Sequence, residues 1–105
     1  MRRVAANIIY KDRSKRLINH VLEIDNGVVV NDYPLQSEKE AVEWLGGIII
    51  CSPFKSIDYI NNITISEFID KNANSIYSNN SFAWHIYGID ITSDSIITDR
   101  NVSLL

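Results

Sequence analysis

Leu17-Ile18-Asn19-His20-Val21-Leu22-Glu23-Ile24-Asp25-Asn26-Gly27-Val28-Val29-Val30-Asn31-Asp32-Tyr33 is the stretch that decides the fold. Ile18, His20, Leu22 and Ile24 fall on one side of an extended chain, and Leu17, Asn19, Val21 and Glu23 on the other. That period of two marks a strand over 17–24. Asn26-Gly27 tolerates the positive φ angles of a tight two-residue turn, so Val28 to Tyr33 should fold back antiparallel on the strand before it. Upstream, Arg3 to Tyr10 reads as a first strand, closed by the polar turn Lys11 to Arg16.

Downstream, Pro34 ends the hairpin. Ser37-Glu38-Lys39-Glu40 has the spacing of a capping box, so a short helix through Ala41 and Trp44 is one reading. Val42 to Leu45 as a strand is the other. Gly46-Gly47 supplies a sharp turn or bulge before Ile48 to Ser52, a buried strand that Pro53 stops. Thr64 and Glu67 form a second capping box. With Phe68, Ile69, Ala73 and Ile76 at helical spacing, they predict a helix over Ile65 to Ile76 with Asp70 and Lys71 facing water. Tyr77 to Ser81 is a polar loop, Phe82 to Ile91 a two-sided strand, Thr92 to Ser95 a turn, and Ile96 to Leu105 a last strand.

Composition agrees with a β-rich chain. Ile and Val together number 25 against 11 for Leu and Ala, and β-branched side chains suit a pleated surface better than a helix. At 105 residues, 46% of them apolar and 22% charged, the chain is expected to be one domain with a single core. One cysteine, Cys51, rules out an internal disulfide, and two histidines, His20 and His85, rule out a histidine-rich metal cluster within one chain. The first residues lack the apolar h-region of a secretory leader, so the expected location is the cytoplasm and the Asn-x-Ser/Thr matches at Asn62, Asn79 and Asn101 carry no weight. The longest nearby apolar run, Ile48 to Cys51, is far too short for a membrane span of about 20 residues.

The two ends of the chain carry a resemblance. Arg-Arg-Val-Ala-Ala-Asn-Ile-Ile-Tyr from Arg2, Leu-Glu-Ile-Asp-Asn-Gly-Val-Val-Val from Leu22, and Glu-Trp-Leu-Gly-Gly-Ile-Ile-Ile from Glu43 resemble the amino-terminal strands of the amidohydrolase superfamily. Tyr87-Gly88-Ile89-Asp90-Ile91 through Asn101-Val102-Ser103-Leu104-Leu105 is similar to that family's carboxy-terminal strands. In the family these ends join as a small composite β domain beside a catalytic barrel. The resemblance implies a mainly β, sandwich-like composite domain: N-terminal strands over 1–54, a connection with its helix over 55–81, and C-terminal strands over 82–105. It also favours the strand reading of Val42 to Leu45. The helix is then a short connection whose apolar stripe covers the sheet face that would otherwise meet the barrel.

The catalytic part of that family has no counterpart. A barrel takes about 200 residues or more, while only Lys55 to Ser81 separates the matching ends. Where the family opens its barrel with a Pro-Gly-Phe-like turn and a His-x-His metal pair, this chain has Pro53-Phe54, then Asp58 and Ile60. Isoleucine ligates nothing. The expectation is therefore no catalytic residues, no cofactor-binding residues and no metal.

Each candidate side chain also has a plain structural role available. His20 lies on an apolar strand face, where a core ring held by a hydrogen bond is the usual arrangement; it meets His85 only if their strands are neighbours. Cys51 after three isoleucines reads as a small buried hydrophobe. Ser52 and Ser56 lack a nucleophile-elbow context. Glu38, Glu40 and Glu43, like Asp90, Asp94 and Asp99, sit where turns and caps use carboxylates. Trp44, Trp84 and Tyr87 fill a core or, if exposed together, mark an interface. Residues 1 to 16 hold six cations against one acid, yet the segment from Lys11 to Arg16 lacks interleaved aromatics, and it reads as a solvated turn before it reads as a nucleic-acid arm. The functional expectation is a non-catalytic binding or assembly module that pairs with a second copy or a larger protein partner through open strand edges, a twofold homodimer being the first choice. The alternative is a minimal hydrolase-descended enzyme with a rebuilt or dimer-shared site around His20, His85 or Asp58.

Overall fold

The computed structural model describes residues 1–36, 41–57, 61–74 and 81–105. The chain is mainly β, with one α-helix among the described residues. Its strands are β1 (Arg2–Ala5), β2 (Ile8–Asp12), β3 (Lys15–Leu17), β4 (His20–Asp25), β5 (Val28–Pro34), β6 (Glu43–Trp44), β7 (Ile48–Ser52), β8 (Ile63–Thr64), β9 (Phe82–Ile86), β10 (Ile96–Ile97) and β11 (Val102–Leu104). The helix α1 spans Ile65–Asn72. A first sheet has the order β5-β4-β1-β6, a second β11-β9-β7-β2-β3, and β8 with β10 forms a two-stranded ribbon.

The two large sheets are joined along a seam. The segment expected as one strand over Arg3 to Tyr10 breaks at Ala6-Asn7, with β1 in the first sheet and β2 in the second. The segment expected over Leu17 to Ile24 breaks likewise between β3 and β4. A third crossing runs from β6 through Gly46-Gly47 to β7, parallel to the first on both sides of the seam. Three neighbouring chain segments thus bend together. Asn19, Gly46 and Gly47 take φ values of 54°, 67° and 64° at the bends, the left-handed region that asparagine and glycine enter most readily. Asn7 Oδ1 accepts the Gly47 N–H at 2.8 Å, and Leu45 N–H donates to the Ala5 carbonyl at 2.9 Å, so the seam keeps its backbone groups paired. On the far side the sheets are stitched by Val29 N–H donating to the Ser81 carbonyl at 2.8 Å.

The hairpin forms as its sequence dictates. Asp25 pairs with Val28 across Asn26-Gly27, whose φ angles are 51° and 79°, as a type I′ turn requires. A bulge between Glu23 and Ile24 leaves Val30 without a partner, and Val30 is half exposed. Ile18, expected inward beside His20, is 56% exposed because the bend at Asn19 turns it out.

Between the sheets, Val4, Leu22, Ile24 and Val29 meet Ile9, Ile49, Cys51 and Ala83 in one apolar cluster. The opposite face of the second sheet, with Ile48, Ile50 and Ile86, packs against Ile65, Phe68, Ile69 and Ala73 in another. This is the sandwich-like core with a helix over one face. It explains why all five residues of β7 are buried: the strand is central and covered on both sides.

Three boundaries differ from expectation. The helix begins at Ile65, where the Thr64 hydroxyl accepts the Glu67 N–H at 3.2 Å, but ends at Asn72. Ala73 leaves the helix while its N–H still reaches Ile69, and Asn74 N–H donates to the Cys51 carbonyl at 2.9 Å, drawing the chain onto β7. Ile76 lies outside the described residues. Strand β9 stops at Ile86, because Gly88 turns with φ 68° and the next residues cross toward α1. The last strand is interrupted by a 3-10 turn over Asp99–Asn101, capped by Thr98. The alternative helix from the Ser37 capping box falls partly on residues 37–40, outside those described; Glu43 and Trp44 are strand.

Candidate functional site

Among the described residues, the structure does not gather the candidates into one site. His20 belongs to the first sheet and His85 to the second, so the two rings are not strand neighbours. Among the described residues no three His, Cys, Asp or Glu side chains are arranged to hold a metal ion. Asp58, Glu38 and Glu40 lie outside the described residues.

His20 is held by a hydrogen bond, as a core histidine is expected to be. Its Nε2–H donates to Asp32 Oδ1 at 2.7 Å, and Asp32 Oδ2 meets Lys11 Nζ at 2.9 Å. The three side chains are only 11 to 16% exposed. Lys11 rises from the second sheet while His20 and Asp32 belong to the first, so the trio clamps the sheets at one end of the core. Burial alone would raise the Asp32 carboxyl; the hydrogen bonds from Lys11 and His20 outweigh it and hold the group below its ordinary value. Lys11 was expected in a solvated basic turn. It is instead the cationic partner of a shielded carboxylate, which leaves Arg13, Lys15 and Arg16 as the exposed cations of that segment. Asp32 went unremarked in the sequence, although the hairpin register sets it opposite Leu22, two residues from His20.

Cys51 is fully buried. Its thiol is pushed up to about 12, chiefly by burial and further by Asp32, with Lys11 opposing. A thiol held there stays protonated near neutrality and is a poor nucleophile. Ser52 is buried and its Oγ accepts the Phe54 N–H at 3.1 Å, while Ser56 is exposed.

The carboxylates serve turns and ion pairs. Glu43 takes two hydrogen bonds from Arg2, at 2.7 and 3.2 Å. Asp90 accepts from the Thr92 N–H and hydroxyl at 2.9 and 2.6 Å. Asp94 accepts from the Ser66 N–H and hydroxyl at 2.9 and 2.6 Å, closing the start of α1. Asp99 stands in the first turn of the 3-10 segment.

The aromatics divide. Trp84 is partly buried and its Nε1–H donates to the Phe54 carbonyl at 2.9 Å. Trp44 is 57% exposed on β6, the two-residue outer strand of the first sheet. Two residues on, the Gly46 carbonyl accepts from His85 Nε2 at 2.9 Å. The His85 ring lies 5.3 Å from that of Tyr87, which is 41% exposed. His85 and Tyr87 therefore lie at the seam, and Trp44 stands two residues before its Gly-Gly bend, on the strand that is outermost in the first sheet among the described residues. No family model, no characterised protein and no solved structure matches the chain.

Proposed function

We propose that the protein is a non-catalytic binding or assembly module, that its first partner is a second copy of itself, and that it works in the cytoplasm. The observation that carries the reading is Trp44: a large aromatic left more than half exposed on a two-residue strand that is outermost in its sheet among the described residues. Tryptophan at such a position is the residue type that most often anchors an interface, and a strand edge adds backbone hydrogen bonds to the apolar contact. Tyr87, beside His85, extends the apolar area along the seam. A twofold arrangement brings the same patch together from both copies. Glu43, next to Trp44 on the same strand, is already paired with Arg2.

The resemblance to the composite β domain of amidohydrolases fits this reading, since that domain flanks the chemistry and does not perform it. The alternative, a minimal hydrolase with a rebuilt site, gains no support from His20, which is committed to Asp32, or from His85, which is committed to Gly46. The protonated thiol of Cys51 gives it no nucleophile. A free cysteine suits a reducing compartment.

Sedimentation equilibrium from roughly 1 to 100 µM tests the proposal in the range where a micromolar dimer dissociates. The expected result is a reversible rise to twice the chain mass. A strict monomer throughout, with metal-dependent turnover of an amide or cyclic imide, would reverse it.

A further inference from the structure

We propose a small-molecule site in the groove between α1, the outer face of the second sheet and residues 91–94, with a free apolar α-amino acid of the leucine class as its ligand. The groove has a volume of about 280 Å³, close to the lower end of ligand pockets at roughly 300 Å³. Its floor is apolar: Ile8 and Ile48 from the sheet, Ile65 and Ile69 from the helix. Ile91 forms a wall and is 36% exposed; with Ile48, Ile65 and Ile69 themselves buried, Ile91 and the half-buried Ile8 supply the apolar surface open to a ligand.

Two opposite charges line the same groove without pairing to each other. Arg16 reaches it from β3, in register with Tyr10, which shares the groove. Among the described residues Arg16 has no ion pair. Asp94 comes from the other side, and both of its oxygens are fixed by Ser66. Those two bonds hold its carboxyl below the ordinary value, so it is anionic near neutrality. A ligand of one sign meets one attractive and one repulsive charge here. A zwitterion meets both favourably, its carboxylate toward Arg16 and its ammonium toward Asp94. Ile8 and Ile91, whose apolar surface is open in the groove, then favour an apolar side chain over a polar one.

This site faces away from the first sheet and does not depend on the assembly reading. The test is a methyl NMR titration of the full chain with L-leucine. Saturable shifts at Ile8, Ile48, Ile69 and Ile91 are expected. Leucinamide, which lacks the carboxylate, and 4-methylpentanoate, which lacks the ammonium, should each bind about tenfold more weakly, and glycine should leave these methyls unmoved. Arg16→Gln, at an exposed position, should weaken leucine by about tenfold and leave leucinamide unchanged. Absence of localised shifts at roughly 10 mM leucine, well above the range in which even weak specific ligands saturate, overturns the proposal. So does equal binding of glycine, or an Arg16→Gln variant that binds leucine as the native chain does.

Discussion

A methyl group on Gly47 would sit 2.3 Å from the Ile86 carbonyl oxygen, on a residue whose φ is already +64°. Backbone cannot move aside as a flexible side chain can, so β9 and the seam must part. Gly46, with the same sign of φ, would meet nothing closer than Asn7 Oδ1 at 3.7 Å. Gly47→Ala should therefore cost about 3 kcal/mol or more and Gly46→Ala only about 1 kcal/mol, read by urea denaturation. The Gly-Gly pair was legible as a sharp turn, but nothing in the sequence said which glycine faces another strand. Asp32 supplies the second test at this scale. Removing it leaves Lys11 shielded without this carboxylate, and Asp32→Ala should cost about 2 kcal/mol at neutral pH. Because its folded pKa is depressed, the Asp32 contribution is whole above the unfolded value of about 3.9 and is lost as pH falls through the folded one. The gap between native and Asp32→Ala unfolding curves should thus close below about pH 4; a gap that persists into stronger acid would mean the effect is packing. His20 was readable as a hydrogen-bonded core ring, whereas its partner emerges only once the hairpin register is laid out.

Among the elements, those with strong local chemistry were the readable ones. Asn26-Gly27 specifies its turn by φ alone, and Thr64 marks the helix start through a hydroxyl that needs no distant partner. The long strands misled because the apolar pattern runs on through Asn7 and Asn19, while the bends there arise from two sheets closing over one core. An asparagine inside an apolar run was the only local sign. The helix C-terminus was likewise set from outside, by the bond from Asn74 to β7. The helix itself depends on one side chain above others: Phe68 is fully buried under the second sheet. Phe68→Ala should cost about 4 kcal/mol, and Thr64→Ala about 1 kcal/mol through loss of the cap. Equal effects of the two would contradict a helix held chiefly by its buried face.

At the scale of the whole molecule, the bent sheets leave His20, Cys51 and most of the described acids committed to the fold, while Trp44 and Tyr87 stay exposed. His20, Lys11 and Asp32 clamp the core, Cys51 is sealed in it, and the acids tie turns. Trp44, by contrast, is 57% exposed on the outer strand of the first sheet. That a β-rich domain would form was evident from its β-branched content; that Trp44 would face water was not, since an apolar residue next to a glycine pair reads equally as core. The central claim is that this exposed edge is where two copies meet. With only two tryptophans in the chain, a Trp84→Phe variant reports on Trp44 alone. Its fluorescence, followed across dilution from roughly 100 µM to 0.1 µM, should move from a buried to a solvent-exposed emission as the dimer separates. Emission that stays that of a water-exposed indole at every concentration would contradict the account.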